Sequence, residues 1–115
     1  MPVLLLTTRG RKTGRKWTTP VMYLESSGHY ILSASNNGQN RHPAWFLNLQ
    51  AEPEVEIEIN DQKTKAEASL VPEGTYKQYW DQLTQQAPFF NGYKEGRSLP
   101  IPLVDLRPLV YIPVI

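Results

Sequence analysis

The strictest alternation of apolar and charged residues lies near the middle of the chain. Residues 54–59 place Val55, Ile57 and Ile59 on one side and Glu54, Glu56 and Glu58 on the other. This period of two predicts an antiparallel strand with one face buried and the other in water. Asn60 and Asp61 are turn formers, and residues 63–71 return with Ala66, Ala68 and Leu70 on the apolar face. A β-hairpin with lysines opposite glutamates is therefore predicted.

Positive charge is concentrated in one short loop. Residues 9–16, RGRKTGRK, hold five of the twelve Lys and Arg residues, and the first acid is Glu25. The net charge is only +1, so the chain is basic in one place, unlike a protein that wraps a long polyanion. Gly10 and Gly14 allow amides and cations to converge on one phosphate or carboxylate, although a solvated basic turn is the alternative. The spacing is not that of a Walker loop.

Length and composition limit the remaining classes. A chain of 115 residues is expected to be one domain, residues 1–115, with a single modest core. It has no Cys and two His, so we expect neither disulfides nor a metal site. No apolar run is long enough to span a bilayer, and the uncharged start does not resemble a signal peptide, which predicts a cytoplasmic protein.

The remaining patterns predict a small mainly β protein of the α+β type. Pro20 predicts an edge position or a bulge in the second strand. A helix over 73–86 is indicated by Tyr76, Tyr79, Trp80 and Leu83, which share one face, and a shorter helix is expected over 44–50. Strands are expected over 3–8, 17–24, 29–35, 54–60, 63–71 and 99–109. We expect a six-stranded antiparallel barrel with flanking helices.

Three segments together resemble the deazaflavin-dependent nitroreductase family. They are LLLTTRGRKTGRKWTTPVMYL, SASNNGQNRHPAWFLNL and PFFNGY with the later LPIPLV, and the resemblance spans residues 3–108. It implies a split β-barrel similar to FMN-binding split barrels, with coenzyme F420 (8-hydroxy-5-deazaflavin) as cofactor. It also implies hydride transfer from reduced F420 to a small electrophile such as a quinone, nitroaromatic or enone.

The resemblance also implies roles for individual residues. Tyr93 and Ser35 are the candidate catalytic residues, as proton donors or substrate contacts. Relatives commonly have Arg where this chain has Trp17, so one phosphate contact is either lost or supplied by Arg15 or Lys16. The implied coenzyme-binding residues are Arg11, Lys12, Thr13, Trp17, Thr18, Thr19, Pro20, Val21, Met22, Ala34, Ser35, Asn36, Ala44, Trp45, Leu47 and Asn48.

Each assignment has a structural alternative. Trp45 and Leu47 are apolar residues of a helix that must bury one face, so they are candidates for the core. Ser35 and Asn36 are common turn and cap residues. Tyr93, expected in a loop after Gly92, is of a type that often covers apolar surface.

The function itself also has alternatives. One keeps the fold and replaces F420 with FMN. The other is a non-enzymatic module that binds nucleic acid or anionic lipid through the basic loop and Trp17. Phe89 and Phe90 stand near Tyr93 where some relatives have tyrosines, which favours quinone or enone reduction over nitroreduction.

The expected partner is a small-molecule electron acceptor, and no nucleic acid is expected. If the acceptor is a quinone, peripheral association with the inner face of the cell membrane is expected. A homodimer is left open. The chain lacks the N-terminal helical segment of many relatives, so the pocket is either more open or completed by a partner chain.

Overall fold

Seven strands and three α-helices make up the chain in a computed structural model that describes residues 1–109. A short 3-10 turn, Asn36–Gly38, follows the fourth strand. The strands are β1 Val3–Arg9, β2 Lys16–Met22, β3 Leu24–Ser26, β4 His29–Ser33, β5 Glu54–Ile59, β6 Gln62–Leu70 and β7 Leu103–Pro108. The helices are α1 Ala44–Ala51, α2 Glu73–Gln86 and α3 Phe89–Glu95.

The strands form one antiparallel sheet in the order β2-β1-β5-β6-β7-β4-β3. The sheet curls into a half-barrel, so that β2 and β4 contact each other although they are far apart in this order. The predicted class, mainly β with flanking helices, is confirmed. The number of strands is seven and not six, because the expected second strand is interrupted at Tyr23. There the N–H donates to the Pro2 carbonyl at 3.0 Å, and the buried ring packs edge-on against Tyr30.

The central hairpin forms as predicted. Val55 and Ile57 are buried, and Lys65 and Lys63 pair with Glu54 and Glu58 at 3.5 and 4.0 Å. Its turn residues adopt the left-handed backbone typical of a tight hairpin, with φ of 52° at Asn60 and 64° at Asp61.

Two other sequence expectations for the sheet have different outcomes. Leu70 does not join the buried face, since it is 54% exposed at the strand end and Val71 is buried in its place. Pro20 lies opposite Leu5 in β2, the first strand of the sheet order, which confirms the predicted edge position.

Two clusters of apolar side chains lie on opposite faces of the sheet. Successive residues of β4 show the alternation, because Ile31 belongs to one cluster and Leu32 to the other. Helix α1 contributes Phe46 and Leu49 to the cluster that contains Leu32. Helices α2 and α3 cover the other cluster, which includes Trp80, Leu83 and Phe90. Burial of each such side chain contributes about 1.5–3 kcal/mol.

Two of the three helices were predicted, and the third, α3, was not. Helix α2 has the predicted bounds, 73–86, and α1 is one residue longer than expected. Tyr93 was expected in a loop and lies instead in α3, which was missed because Asn91 and Gly92 are weak helix formers. No helix within residues 1–109 is long and apolar enough to cross a membrane.

Candidate active site

A cavity of about 900 Å³ lies between β2, the end of β4, the start of α1 and helix α3. Of the seventeen residues implied as catalytic or coenzyme-binding, fifteen line it. These are Arg11, Lys12, Thr13, Trp17, Thr18, Thr19, Pro20, Val21, Met22, Ser35, Asn36, Ala44, Trp45, Asn48 and Tyr93. Residues far apart in the chain therefore come together as the resemblance implied.

Two of the implied residues do not line the cavity. Ala34 is fully buried and belongs to the core cluster that contains Leu32. Its neighbours Ser33 and Ser35 line the cavity, as expected where successive side chains of an extended segment point to opposite sides. Leu47 packs against the same core cluster as Ala34. A core position was the structural alternative for Leu47 in the sequence analysis.

The basic loop is a closed turn. The Gly10 N–H donates to the Arg15 carbonyl at 2.7 Å, and the Gly14 N–H donates to the Gly10 carbonyl at 2.8 Å. Gly14 has a φ of 74°, a backbone conformation that residues other than glycine rarely adopt. A Cβ at Gly10 would lie 3.2 Å from the Arg15 carbonyl oxygen and 3.3 Å from Trp17 Nε1. Both glycines are thus needed for the turn as it is built.

The five cations of the loop have different surroundings. Arg9 donates to the Gly14 carbonyl at 3.0 Å and pairs with Glu52 at 3.4 Å. The Arg15 guanidinium lies over the Trp17 ring, 5.5 Å from its centre. Arg11 and Lys12 are the two that line the cavity. Arg15 and Lys16, considered as replacements for a phosphate contact at Trp17, are not part of its wall.

Asn48 lies in helix α1 and connects this helix to the basic loop through hydrogen bonds. Its Oδ1 accepts from the Arg11 backbone N–H at 3.2 Å and from Arg11 Nη1 at 3.0 Å. Its Nδ2 donates to Thr8 Oγ1 at 3.2 Å. Both Asn48 and Thr8 are buried. The amide of Asn48 is thus engaged by protein groups, and it orients Arg11 toward the cavity.

The opposite side of the cavity is aromatic. Tyr93 packs edge-on against Phe89 and Phe90, with ring centres 5.4 and 5.8 Å apart. It also lies against the backbone of Gly38, where an added Cβ would be 3.0 Å from Tyr93 Cδ1. Gly38 has a φ of 82°, so a glycine is required there by both conformation and space.

Ser33 is a site residue that the sequence analysis missed. Its Oγ is buried without a hydrogen-bond partner in residues 1–109, and the residue lines the cavity. An unsatisfied buried hydroxyl costs about 1–3 kcal/mol, and a bound molecule could provide the missing partner. The pattern Ser33-Ala34-Ser35 at a strand end was the available signal. The other unpredicted lining residues are Val3, Thr8, Gly10, Asn37, Pro43, Phe89 and Phe90.

The cavity fits an elongated ligand with two chemically different ends. Arg11, Lys12 and the Thr13 hydroxyl surround a place suited to an anion. Trp45 and Tyr93 belong to the apolar part of the wall, and Ser33 also lines the cavity. Within residues 1–109 no group of three or more His, Asp or Glu side chains could hold a metal ion. The residues present thus fit an organic cofactor with a flat ring and an anionic tail.

Comparisons with known proteins agree with this geometry. A family model described as F420H2-dependent quinone reductase matches residues 1–108. An F420H2-dependent quinone reductase of Mycobacterium tuberculosis is 34% identical over 108 residues, which cover 91% of this chain and 72% of the relative.

Solved structures give the same result. A structure of an F420-H2 dependent reductase superposes with a TM-score of 0.83 and 28% identity, covering 92% of this chain and 94% of the other. A structure described as a domain-swapped dimer has a TM-score of 0.84 and 28% identity, covering 92% and 80%. The split-barrel fold, the F420 cofactor and the oxidoreductase class implied by the resemblance are confirmed. The chain belongs to the F420H2-dependent quinone reductase family.

Proposed function

We propose that this protein binds reduced coenzyme F420 in the 900 Å³ cavity and reduces a quinone with it. The observation that carries the proposal is that one cavity joins two cations, Arg11 and Lys12, to an aromatic wall around Tyr93. When bound, reduced F420 supplies a hydride to the acceptor. Nitroaromatics and enones are the other acceptor classes considered, and FMN is the alternative cofactor.

The cationic end holds the charged part of the coenzyme. Arg11 and Lys12 bind its phosphate and tail carboxylates through charge-assisted hydrogen bonds, which are about twice as strong as neutral ones. Arg11 enters binding already oriented by Asn48, so less rotamer entropy is lost. The Thr13 hydroxyl, which accepts from the Arg15 N–H at 3.2 Å, adds a donor on the same side.

The remaining walls orient the flat ring and exclude water. Pro20 and Val21 from β2 and Trp45 from α1 provide apolar surface. The Ser33 hydroxyl donates to a polar atom of the bound molecule and so gains the partner that it lacks. Restricting the orientation of the reacting groups in this way is the main contribution that a protein makes to such a reaction.

Reduction of a quinone by hydride also requires one proton for the acceptor. Tyr93 Oη is the first candidate, because its ring belongs to the aromatic wall of the cavity. Ser35 or a water molecule is the alternative donor. The acceptor oxygen that receives this proton becomes one of the two hydroxyls of the quinol, and the hydride accounts for the second added hydrogen.

A direct titration tests the proposal. F420 added to the protein is expected to show saturable fluorescence quenching, and reduced F420 is expected to be oxidised when menadione is added. FMN is titrated in parallel. Saturable binding of FMN with no binding of F420 would overturn the assignment of the cofactor.

We further propose that the mouth of the cavity rests on the membrane surface, where hydrophobic quinones dissolve. Four large apolar residues of the wall are exposed, namely Trp17 at 57%, Val3 at 52%, Phe89 at 44% and Met22 at 39%. Trp17 directly follows the basic loop, and the combination of aromatic and cationic groups around the cavity suits an anionic lipid surface. Sedimentation with anionic but not zwitterionic vesicles is expected, and equal recovery with both, or with neither, would contradict the proposal.

A homodimer is the proposed assembly, supported by the domain-swapped dimer with 28% identity. Light scattering on the purified protein is expected to give twice the chain mass of 13.2 kDa. A monomer at all concentrations tested would exclude it.

A further inference from the structure

The segment between α3 and β7, residues 96–102, is held mainly by hydrogen bonds from side chains. The Leu99 carbonyl accepts from Arg97 Nε at 3.1 Å, and the Pro100 carbonyl accepts from Arg97 Nη2 at 3.3 Å. The next carbonyl, that of Ile101, accepts from Tyr76 Oη at 2.6 Å. Burial raises the pKa of Tyr76, so its hydroxyl stays a donor across the neutral range. Pro100 and Pro102 lack an N–H and cannot donate to a strand ladder, and the carbonyls of residues 99–101 are satisfied by these side chains.

The third nitrogen of the same guanidinium reaches across to the end of β4. Arg97 Nη1 donates to the Ser35 carbonyl at 2.7 Å, the shortest of its three bonds. That carbonyl also accepts from the Gly38 N–H at 3.0 Å. Ser35 lines the cavity, and Gly38 lies against Tyr93 of α3. Arg97, two residues after the helix that carries Tyr93, thus joins the segment following that helix to the strand end that carries Ser35.

Two hydrogen bonds of the Asn40 side chain also connect these segments. Asn40 Oδ1 accepts from the Leu99 N–H at 2.9 Å, and Asn40 Nδ2 donates to Ser98 Oγ at 2.9 Å. The Tyr93 ring lies against Gly38. Arg97 is the only charged member of the set, and within residues 1–109 it forms no ion pair with Asp or Glu. No carboxylate therefore competes with the three carbonyls for the Arg97 guanidinium.

We infer that Arg97 is a positioning residue that sets where Tyr93 stands relative to Ser35 across the cavity. Arg97 does not line the cavity, so it acts through the segments that it joins. Helix α3 has only seven residues and ends at Glu95, two residues before Arg97. A helix this short depends on tertiary contacts for its position. The inference rests on the proposed function, since it assigns Tyr93 and Ser35 to the reaction.

Two substitutions separate positioning from coenzyme binding. Arg97→Ala removes all three bonds, and Arg97→Lys keeps the charge but loses the planar fork. We expect kcat for menadione reduction to fall at least about tenfold in Arg97→Ala and less in Arg97→Lys. The coenzyme dissociation constant should change less than about threefold, because Arg11 and Lys12 are unchanged. Guanidinium ion added to Arg97→Ala is expected to restore part of the lost turnover. Arg107→Ala, which removes an arginine paired with Glu67 on the sheet surface, is the matched control.

Hydrogen exchange on the coenzyme-free protein gives a readout that does not need activity. The amides of Gly38 and Leu99 should exchange at least about tenfold faster in Arg97→Ala, while that of Ala68, bonded to the Pro53 carbonyl, should not change. Faster exchange in Arg97→Ala, together with a wild-type protein that fails to bind F420, would support the connection made by Arg97 and reject the proposed function. Unchanged exchange, or a kcat within about twofold of wild type in both variants, would overturn the inference. Arg97→Lys provides the test if Arg97→Ala does not fold.

Discussion

Asn48 Oδ1 accepts two hydrogen bonds from Arg11, one from the backbone N–H at 3.2 Å and one from Nη1 at 3.0 Å. With the bond from Nδ2 to Thr8 Oγ1, a single buried amide joins β1, the basic loop and α1. The direction of Arg11 is thus decided by a residue 37 positions away in the chain. The loop supplies the charge and the helix supplies its orientation.

Replacing Asn48 with Ala is expected to weaken both folding and coenzyme binding. Thr8 Oγ1 would stay buried without a partner, which costs about 1–3 kcal/mol of the free energy of unfolding. Arg11 would lose its orientation, so the coenzyme dissociation constant should rise. A double-mutant cycle of Asn48→Ala with Arg11→Ala, measured by F420 titration, should be non-additive. Additive effects would show that Asn48 does not act through Arg11.

Removing both cavity cations should reduce coenzyme affinity strongly. Arg11→Ala combined with Lys12→Ala deletes two charged contacts of about 1.5 kcal/mol or more each, so the dissociation constant should rise at least tenfold. Arg15→Ala combined with Lys16→Ala removes equal charge from the same loop outside the cavity wall and is the matched control. If the two pairs weakened binding equally, general attraction by the loop would explain the effect.

Tyr93→Phe keeps the aromatic packing and removes the hydroxyl. Turnover should fall more than coenzyme affinity, because the ring contacts with Phe89 and Phe90 remain while the proton donor is lost. Stopped-flow oxidation of reduced F420 with menadione measures the first effect, and fluorescence titration measures the second. A loss of affinity with normal turnover would make Tyr93 a binding residue only.

Ser33→Ala should change stability and binding in opposite directions. The free protein loses an unsatisfied buried hydroxyl, so its unfolding free energy should be unchanged or rise by up to about 1 kcal/mol. Affinity for F420 or turnover should fall by about three- to tenfold, since a ligand contact is lost. Denaturant unfolding and F420 titration measure the two quantities. Ser69→Ala, an exposed serine of β6, is the control. A destabilised protein with unchanged binding would show that Ser33 is only structural.

Much of the fold follows from patterns that are local in the sequence. The alternation over 54–59 and the spacing of Trp80 and Leu83 predict a strand and a helix without any knowledge of their neighbours. The break at Tyr23 and the helix around Gly92 were missed, because each depends on a partner elsewhere. Tyr23 is fixed by Pro2 and Tyr30, and α3 is fixed by the burial of Phe90.

The candidate site divides in the same way. The loop at residues 9–16 and the motif at 33–36 are visible in the sequence, since charge density and family motifs need no coordinates. The resemblance already singled out Arg11 and Lys12 among the five cations. The structure adds that the other three lie outside the cavity wall, which depends on how the turn directs its side chains. The exclusion of Ala34 and Leu47 depended on which face of each element meets the core.

The amino-acid sequence alone determined the strand and helix periods, the basic turn and the family, because these are carried by residues close together or by whole motifs. Only the tertiary structure decided that Asn48 orients Arg11 and that Arg97 holds the Ser35 carbonyl from 62 positions away. Hydrogen bonds over such separations depend on how the sheet curls and where α1 and α3 pack. Local propensity carries no information about them.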